Sequence, residues 1–121
     1  MLYQIEILHN YISVSFSESV NLENILAAVR ETMSLDRYDQ LNDLWDFTDV
    51  RLNLNYSQFN PINDTIIELY PENPKRNKTA LVAESGLLIA MGELWAKSAE
   101  ILPFEIEIFN DCKAAEKWLT S

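Results

Sequence analysis

The sequence predicts an α/β fold: a single mixed, mostly parallel five-stranded sheet with an N-terminal β-hairpin and four helices, in the order ββαβαβαβα. Three observations predict it. Two segments of period-two hydrophobicity open the chain with only His9-Asn10 as a turn between them. Helical and strand-like apolar patterns then alternate, and each of the first three helices can cross between parallel neighbours before a last helix closes the chain. No linker, repeat or break in composition interrupts the 121 residues, so residues 1–121 are expected to form one domain.

In the first strand Tyr3, Ile5 and Ile7 alternate with Gln4 and Glu6; in the second Ile12, Val14 and Phe16 alternate with Ser13 and Ser15. His9-Asn10 reads as a tight turn, because Asn tolerates left-handed backbone. Asn21 is placed to cap a helix, since its side-chain oxygen can accept a first-turn N–H, and Glu23 suits the positive end of the helix dipole. Leu22, Ile25, Leu26, Val29 and Met33 follow at helical spacing, and the helix is expected to end near Ser34. Leu41 to Phe47 reads as a more buried strand, followed by a polar stretch from Thr48 to Tyr56.

Ser57 is placed to cap a second helix with Pro61 near its first turn and Ile62, Ile66, Ile67, Leu69 and Tyr70 as its apolar stripe, stopped by Pro71 and Pro74. Thr79 to Ala83, apolar on both faces, reads as a central strand. Leu87 to Leu102 predicts a third helix that is apolar around much of its circumference, which implies deep burial or a second partner. Gly86 would relax the turn that enters it. Pro103 ends it, and Phe104, Ile106 and Ile108 alternate with Glu105 and Glu107 in an edge strand. Asp111 caps a last helix carrying Ala114, Ala115, Trp118 and Leu119. The polar rows Gln4/Glu6, Ser13/Ser15 and Glu105/Glu107 leave part of one sheet face wet or facing a partner.

Nine basic residues against nineteen acidic ones give a formal charge of −10, with 48% apolar residues and two glycines. That composition excludes disorder, and a surface this acidic repels nucleic acid and anionic membranes. The charge is concentrated early: residues 1–74 hold twelve acids and three bases. The N-terminus meets Glu6 too early for a signal peptide, and no run approaches the ~18 apolar residues of a membrane span. With one cysteine, Cys112, no internal disulfide can form, so a cytoplasmic setting is expected, and the glycosylation-type matches at Asn55, Asn63 and Asn77 carry no weight.

The element order, the acidic-hydrophobic third strand Leu44-Trp45-Asp46-Phe47, the basic-then-apolar fourth Lys78-Thr79-Ala80-Leu81-Val82-Ala83, and the ending from Phe109-Asn110-Asp111 through Ala115, Trp118 and Leu119 resemble the SpoIIAA-like family, related to STAS anti-sigma-factor antagonists and grouped with CRAL-TRIO lipid-binding folds. The resemblance spans nearly the whole chain. It implies no catalysis and no cofactor, protein interaction in the STAS branch, and carriage of apolar molecules in the SpoIIAA-like branch. STAS antagonists place a phosphorylatable Ser in an Asp-Ser-Gly or Asp-Ser-Ser turn at the start of the second helix, where a phosphate meets the positive helix end. This chain has Leu54-Asn55-Tyr56-Ser57-Gln58 there, without that Asp or Gly. Ser57 is therefore read first as a cap and only second as a phosphosite.

The remaining chemistry is thin. Asp43, Asp46 and Asp49 cluster, but alternation sends Asp43 and Asp46 to opposite faces; Asp46 and Asp49 would meet at the carboxyl end of a parallel strand, where open α/β sheets place ligands. All three are read as solvated carboxylates rather than a metal or acid/base site. His9, alone in a turn, makes neither a zinc site nor a hydrolytic triad, and Gly86 and Gly92 do not fit a dinucleotide motif. Lys75-Arg76-Asn77-Lys78 reads as a solvated loop. The expected function is a non-enzymatic interaction or regulatory module with a protein partner, a homodimer being one form of it. The alternative is a binder of a small apolar molecule between the third helix and the sheet. Leu88, Met91, Trp95 and Leu102 are the candidate residues for either an apolar pocket or an interface.

Overall fold

Residues 2–121 are described here from a computed structural model. Alternation makes β1 (Tyr3–Ile7) and β2 (Tyr11–Phe16) an antiparallel hairpin, with Tyr3 opposite Phe16 and Ile7 opposite Ile12. The Leu8 N–H donates to the Tyr11 carbonyl at 2.9 Å to close it. The turn needs no left-handed residue, contrary to the expectation at Asn10: among the described residues the positive-φ one is Glu18, at 63°. There the chain leaves β2 and bends into a short β3 (Glu18–Asn21).

Helix α1 (Leu22–Met33) starts where Asn21 was expected to cap it. Asn21 Oδ1 accepts the Asn24 N–H, and Asn24 Oδ1 accepts the Asn21 N–H, both at 2.9 Å. The chain continues through β4 (Asn42–Asp46), β5 (Val50–Asn53), α2 (Phe59–Leu69), β6 (Lys78–Val82), α3 (Gly86–Ser98), β7 (Glu105–Phe109) and α4 (Cys112–Leu119). The main sheet has the order β1-β2-β4-β6-β7, antiparallel at its first pair and parallel throughout the rest. It is the five-stranded mixed sheet with a leading hairpin and four helices that the pattern predicts.

Beyond that prediction, β3 and β5 pair in parallel as a separate two-stranded sheet, β5 falling within the polar stretch from Thr48 to Tyr56. Each is four residues long with only one or two apolar side chains, too short for alternation to register. Val20 is nevertheless fully buried, which ties this small sheet to the core.

The two faces of the main sheet are covered unequally. Ile12, Val14, Trp45 and Leu81 face α1 and α2, forming the larger core with Ile25, Val29, Ile62 and Ile66. Leu44, Ala80 and Val82 face the other way, onto Ala115 and Leu119 of α4 alone. Gln4, Glu6, Glu105 and Glu107 remain exposed, as the polar rows implied, whereas Ser13 and Ser15 of the third row are half-buried. The α4 cap is the expected one, Asp111 Oδ1 accepting the Ala114 N–H at 2.9 Å.

Helix α3 departs from expectation at both ends. Ser85 caps it, accepting the Leu88 N–H at 3.1 Å, and Gly86 is its first helical residue with no positive φ. It ends at Ser98 rather than Leu102; the Leu102 N–H reaches only back to the Ala99 carbonyl, a tight turn that Pro103 cannot extend into helix. No helix among the described residues is long and apolar enough to cross a membrane.

Candidate functional site

Between α3 and the sheet lies an apolar cavity of ≈110 Å³. Strand parity builds its floor: Asp43, Trp45 and Phe47 point one way from β4 and the residue after it, Thr79 and Leu81 from β6, and Ile108 from β7. Helical spacing builds its roof from Leu88, Met91, Gly92 and Trp95 of α3, and α1 and α2 close the sides. Three of the four expected residues, Leu88, Met91 and Trp95, thus line one space. Leu102 does not; it is buried in the main core beyond the helix end.

The cavity explains why the expected deep burial of the third helix fails. Not one residue of α3 is buried, although its inward face is apolar, because that face looks onto open volume. Gly92 contributes to the gap: a Cβ there would stand 3.4 Å from Ile108 Cδ1 and 3.6 Å from Leu81 Cδ1, in ordinary contact. A polar clasp holds α3 at its far end. Trp95 Nε1 donates to Asn63 Oδ1 at 2.8 Å, and Asn63 Nδ2 donates to the carbonyl and hydroxyl of Ser98 at 3.3 and 3.2 Å. Asn63, a buried polar residue on α2, gave no sign of this role in the sequence. The outward side of the same segment shows Leu87, Leu94 and Ile101 to solvent, with Leu87 75% exposed.

Under the cavity floor the solvated readings of Asp43 and Arg76 are overturned. Both are 2% exposed and form an ion pair, Arg76 Nη2 to Asp43 Oδ1 at 3.1 Å. Thr79 Oγ1 donates to Asp43 Oδ1 at 2.6 Å, and Trp45 Nε1 donates to Asp43 Oδ2 at 3.0 Å. The Arg76 guanidinium is packed among Tyr38, Tyr70 and Phe104, its carbon 4.4, 5.7 and 5.2 Å from their ring centres. Burial is the largest single influence on the Arg76 pKa and would lower it, but the charge and hydrogen bond of Asp43 together with Tyr38 and Tyr70 outweigh it, and the net shift is upward. Burial, then Asp43, push the Tyr38 phenol upward as well, so it stays neutral. A buried charge survives only when paired, which is why this loop arginine folds inward while Lys75 stays in water.

The other candidates do not assemble. Asp46 accepts the Thr48 N–H at 2.9 Å and faces Cys112 Sγ at 3.6 Å on the α4 side, while Asp49 lines a shallow polar depression with Glu18 and Arg51. Burial, then the Asp46 carboxylate, push the Cys112 thiol up to about 11, the opposite of nucleophile activation. His9 is exposed in the hairpin turn. Among the described residues no three His, Cys, Asp or Glu side chains converge as metal ligands. Ser57 is exposed but does not cap α2. It lies in a 3-10 turn (Tyr56–Gln58) that follows Asn55, whose N–H donates to Gln58 Oε1 at 3.0 Å while Ser57 Oγ donates to Asn55 Oδ1 at 2.5 Å.

No protein-family model and no curated protein matches the sequence. Two solved structures share the architecture over most of both chains. One is an uncharacterized protein of the DUF3478 family with a SpoIIAA-like fold from Shewanella loihica PV-4, with TM-score 0.60, 14% identity, and coverage of 97% of this chain and 91% of that one. The other is the anti-sigma factor antagonist SpoIIAA in its unphosphorylated form, with TM-score 0.53, 12% identity, and coverage of 95% and 94%. At these identities the likeness shows the fold: the chain has a SpoIIAA-like fold.

Proposed function

We propose that residues 1–121 act as one unit, a non-enzymatic, cytoplasmic interaction or regulatory module of the SpoIIAA/STAS kind that docks a protein partner through α3. The observation that carries this reading is the two-sided apolar character of α3, which leaves Leu87 and Leu94 exposed on a helix with no buried residue, with Ile101 exposed just beyond its end. The fold shared with an anti-sigma factor antagonist supports it. The test is affinity capture from the native host with the whole protein and with a Leu87→Ser, Leu94→Ser, Ile101→Ser variant. These positions are exposed, so the variant folds; it loses the partner that the parent retains. Equal capture by both, or a partner that proves to be a second copy of the chain, redirects the reading to another face or to a homodimer.

A second reading is favoured by a separate observation, the cavity beneath the same helix. An apolar space of ≈110 Å³ roofed by Leu88, Met91 and Trp95 suits a small apolar molecule, admitted by movement of α3 away from the sheet. Mass spectrometry of organic extracts from the natively purified protein tests it. A stoichiometric apolar compound supports the binder; an extract that matches a mock purification removes it.

A further inference from the structure

We propose that the partner segment docked on α3 is an amphipathic helix whose apolar row is flanked by Lys or Arg; this deepens the first reading above and rests on it. Leu87, Met91, Leu94, Ser98 and Ile101 recur at alternating intervals of four and three residues, the spacing of a seam along which one helix lies on another. Helix α3 supplies the first four, and the turn beyond it supplies Ile101. Leu87 at 75%, Leu94 at 43% and Ile101 at 71% exposure leave the seam open over roughly 20 Å, about four helical turns. Large aliphatic residues exposed singly are ordinary; a row of them at one pitch marks a docking face. A strand, with its period of two, falls out of step with such a row. A helix meets it throughout.

Helix α2 extends the surface. Its Asn63 donates to Ser98 within the seam. Both helices return between parallel strands on one face of the sheet, so they run side by side in the same direction. Ile67, one turn beyond Asn63 and 48% exposed, therefore stands level with the segment after Ser98. Charge decides the flanks. Asp64 and Glu68 of α2 and Glu93 and Glu100 beside the seam are exposed, whereas α2 carries no base and α3 carries Lys97 alone. The bias is local: α4, across the sheet, carries Lys113 and Lys117 against Glu116. A second copy of the chain would bring the same acids to the contact and lay like charges together. A helix with basic flanks meets opposite charge instead, which speeds encounter and excludes acidic competitors.

The test uses the whole protein and two synthetic heptad-repeat peptides with Leu at a and d, one carrying Lys and the other Glu at e and g, where like charges keep each peptide from pairing with itself. Fluorescence anisotropy reads binding at low and high salt for the parent, a rim variant (Glu68→Gln, Glu93→Gln, Glu100→Gln), an equally neutralised control (Glu6→Gln, Glu105→Gln, Glu107→Gln) and a Leu94→Ser, Ile101→Ser variant. All these positions are exposed, and an unchanged far-UV spectrum checks each fold. The Lys peptide is expected to bind the parent about tenfold tighter than the Glu peptide, the factor that a few exposed ion pairs supply. High salt and the rim variant each erase that preference, the control retains it, and the Leu94→Ser, Ile101→Ser variant binds neither peptide. Equal binding of the two peptides, equal weakening in the rim and control variants, or no binding of either peptide overturns the proposal. Lys-peptide binding that survives Leu94→Ser, Ile101→Ser overturns it by placing the peptide elsewhere. The reading beneath it fails separately, when capture from the native host is unchanged in the Leu87→Ser, Leu94→Ser, Ile101→Ser variant.

Discussion

Arg76 Nη2 lies 3.1 Å from Asp43 Oδ1 with both side chains closed off from water, so a loop residue is pinned to the floor strand of the cavity. Removing either partner leaves the other charge buried alone. Arg76→Ala and Asp43→Ala are each expected to lower unfolding free energy by about 3–5 kcal/mol in urea titrations. The double variant should cost clearly less than the sum of the two, because the second removal relieves the stranded charge. Additive losses would mean that the pair is not coupled.

The Asn63–Trp95 bond is the main polar tether of α3 to α2. Asn63→Leu strands the indole N–H and should cost about 1–3 kcal/mol. Hydrogen exchange resolves where: α3 amides lose protection first, while those of β6 hold. Uniform loss across the chain would deny that α3 opens as a separate unit.

Gly92 stands in the middle of α3 with only ordinary contacts waiting for a Cβ. Gly92→Ala combines better helix propensity with partial filling of the cavity, and should raise stability by about 1 kcal/mol. A drop in the melting temperature would show that the space beneath α3 is tighter than described.

Cys112 titrates high because burial, then Asp46, oppose the thiolate. Its folded pKa of about 11 lies above the ordinary thiol value of 9.0, so the neutral thiol favours the fold below pH 9 and that contribution is lost as pH rises toward 11. The rate of iodoacetamide labelling should inflect near pH 11, and Asp46→Asn should move the inflection down. An inflection at the ordinary thiol value would remove both causes.

The main sheet was legible because Tyr3/Ile5/Ile7 and Ile12/Val14/Phe16 alternate cleanly and because Asn21 and Asp111 cap in place. The β3/β5 pair was not, since Glu18–Asn21 and Val50–Asn53 are too brief and polar to show a period. Leu88, Met91 and Trp95 announced a shared face through helical spacing, but whether that face met packing or space depends on Gly92 and on residues far away in sequence. Asp43 carried an unused signal: it shares parity with Trp45 and Phe47, so the alternation that makes them face inward also buries it. Arg76 carried none. Inside Lys75-Arg76-Asn77-Lys78 it reads as one more solvated charge, and only tertiary folding brings Tyr38, Tyr70 and Phe104 around it.

Docking through α3 is tested most directly by site-specific photocrosslinking in the native host. A photoreactive residue is placed at Leu87, at Leu94 and, as a control on the opposite sheet face, at exposed Lys113 of α4. A discrete crosslinked partner from the two α3 positions and none from Lys113 is the result expected. Crosslinks from Lys113 alone, or no discrete product from either α3 position, would contradict it.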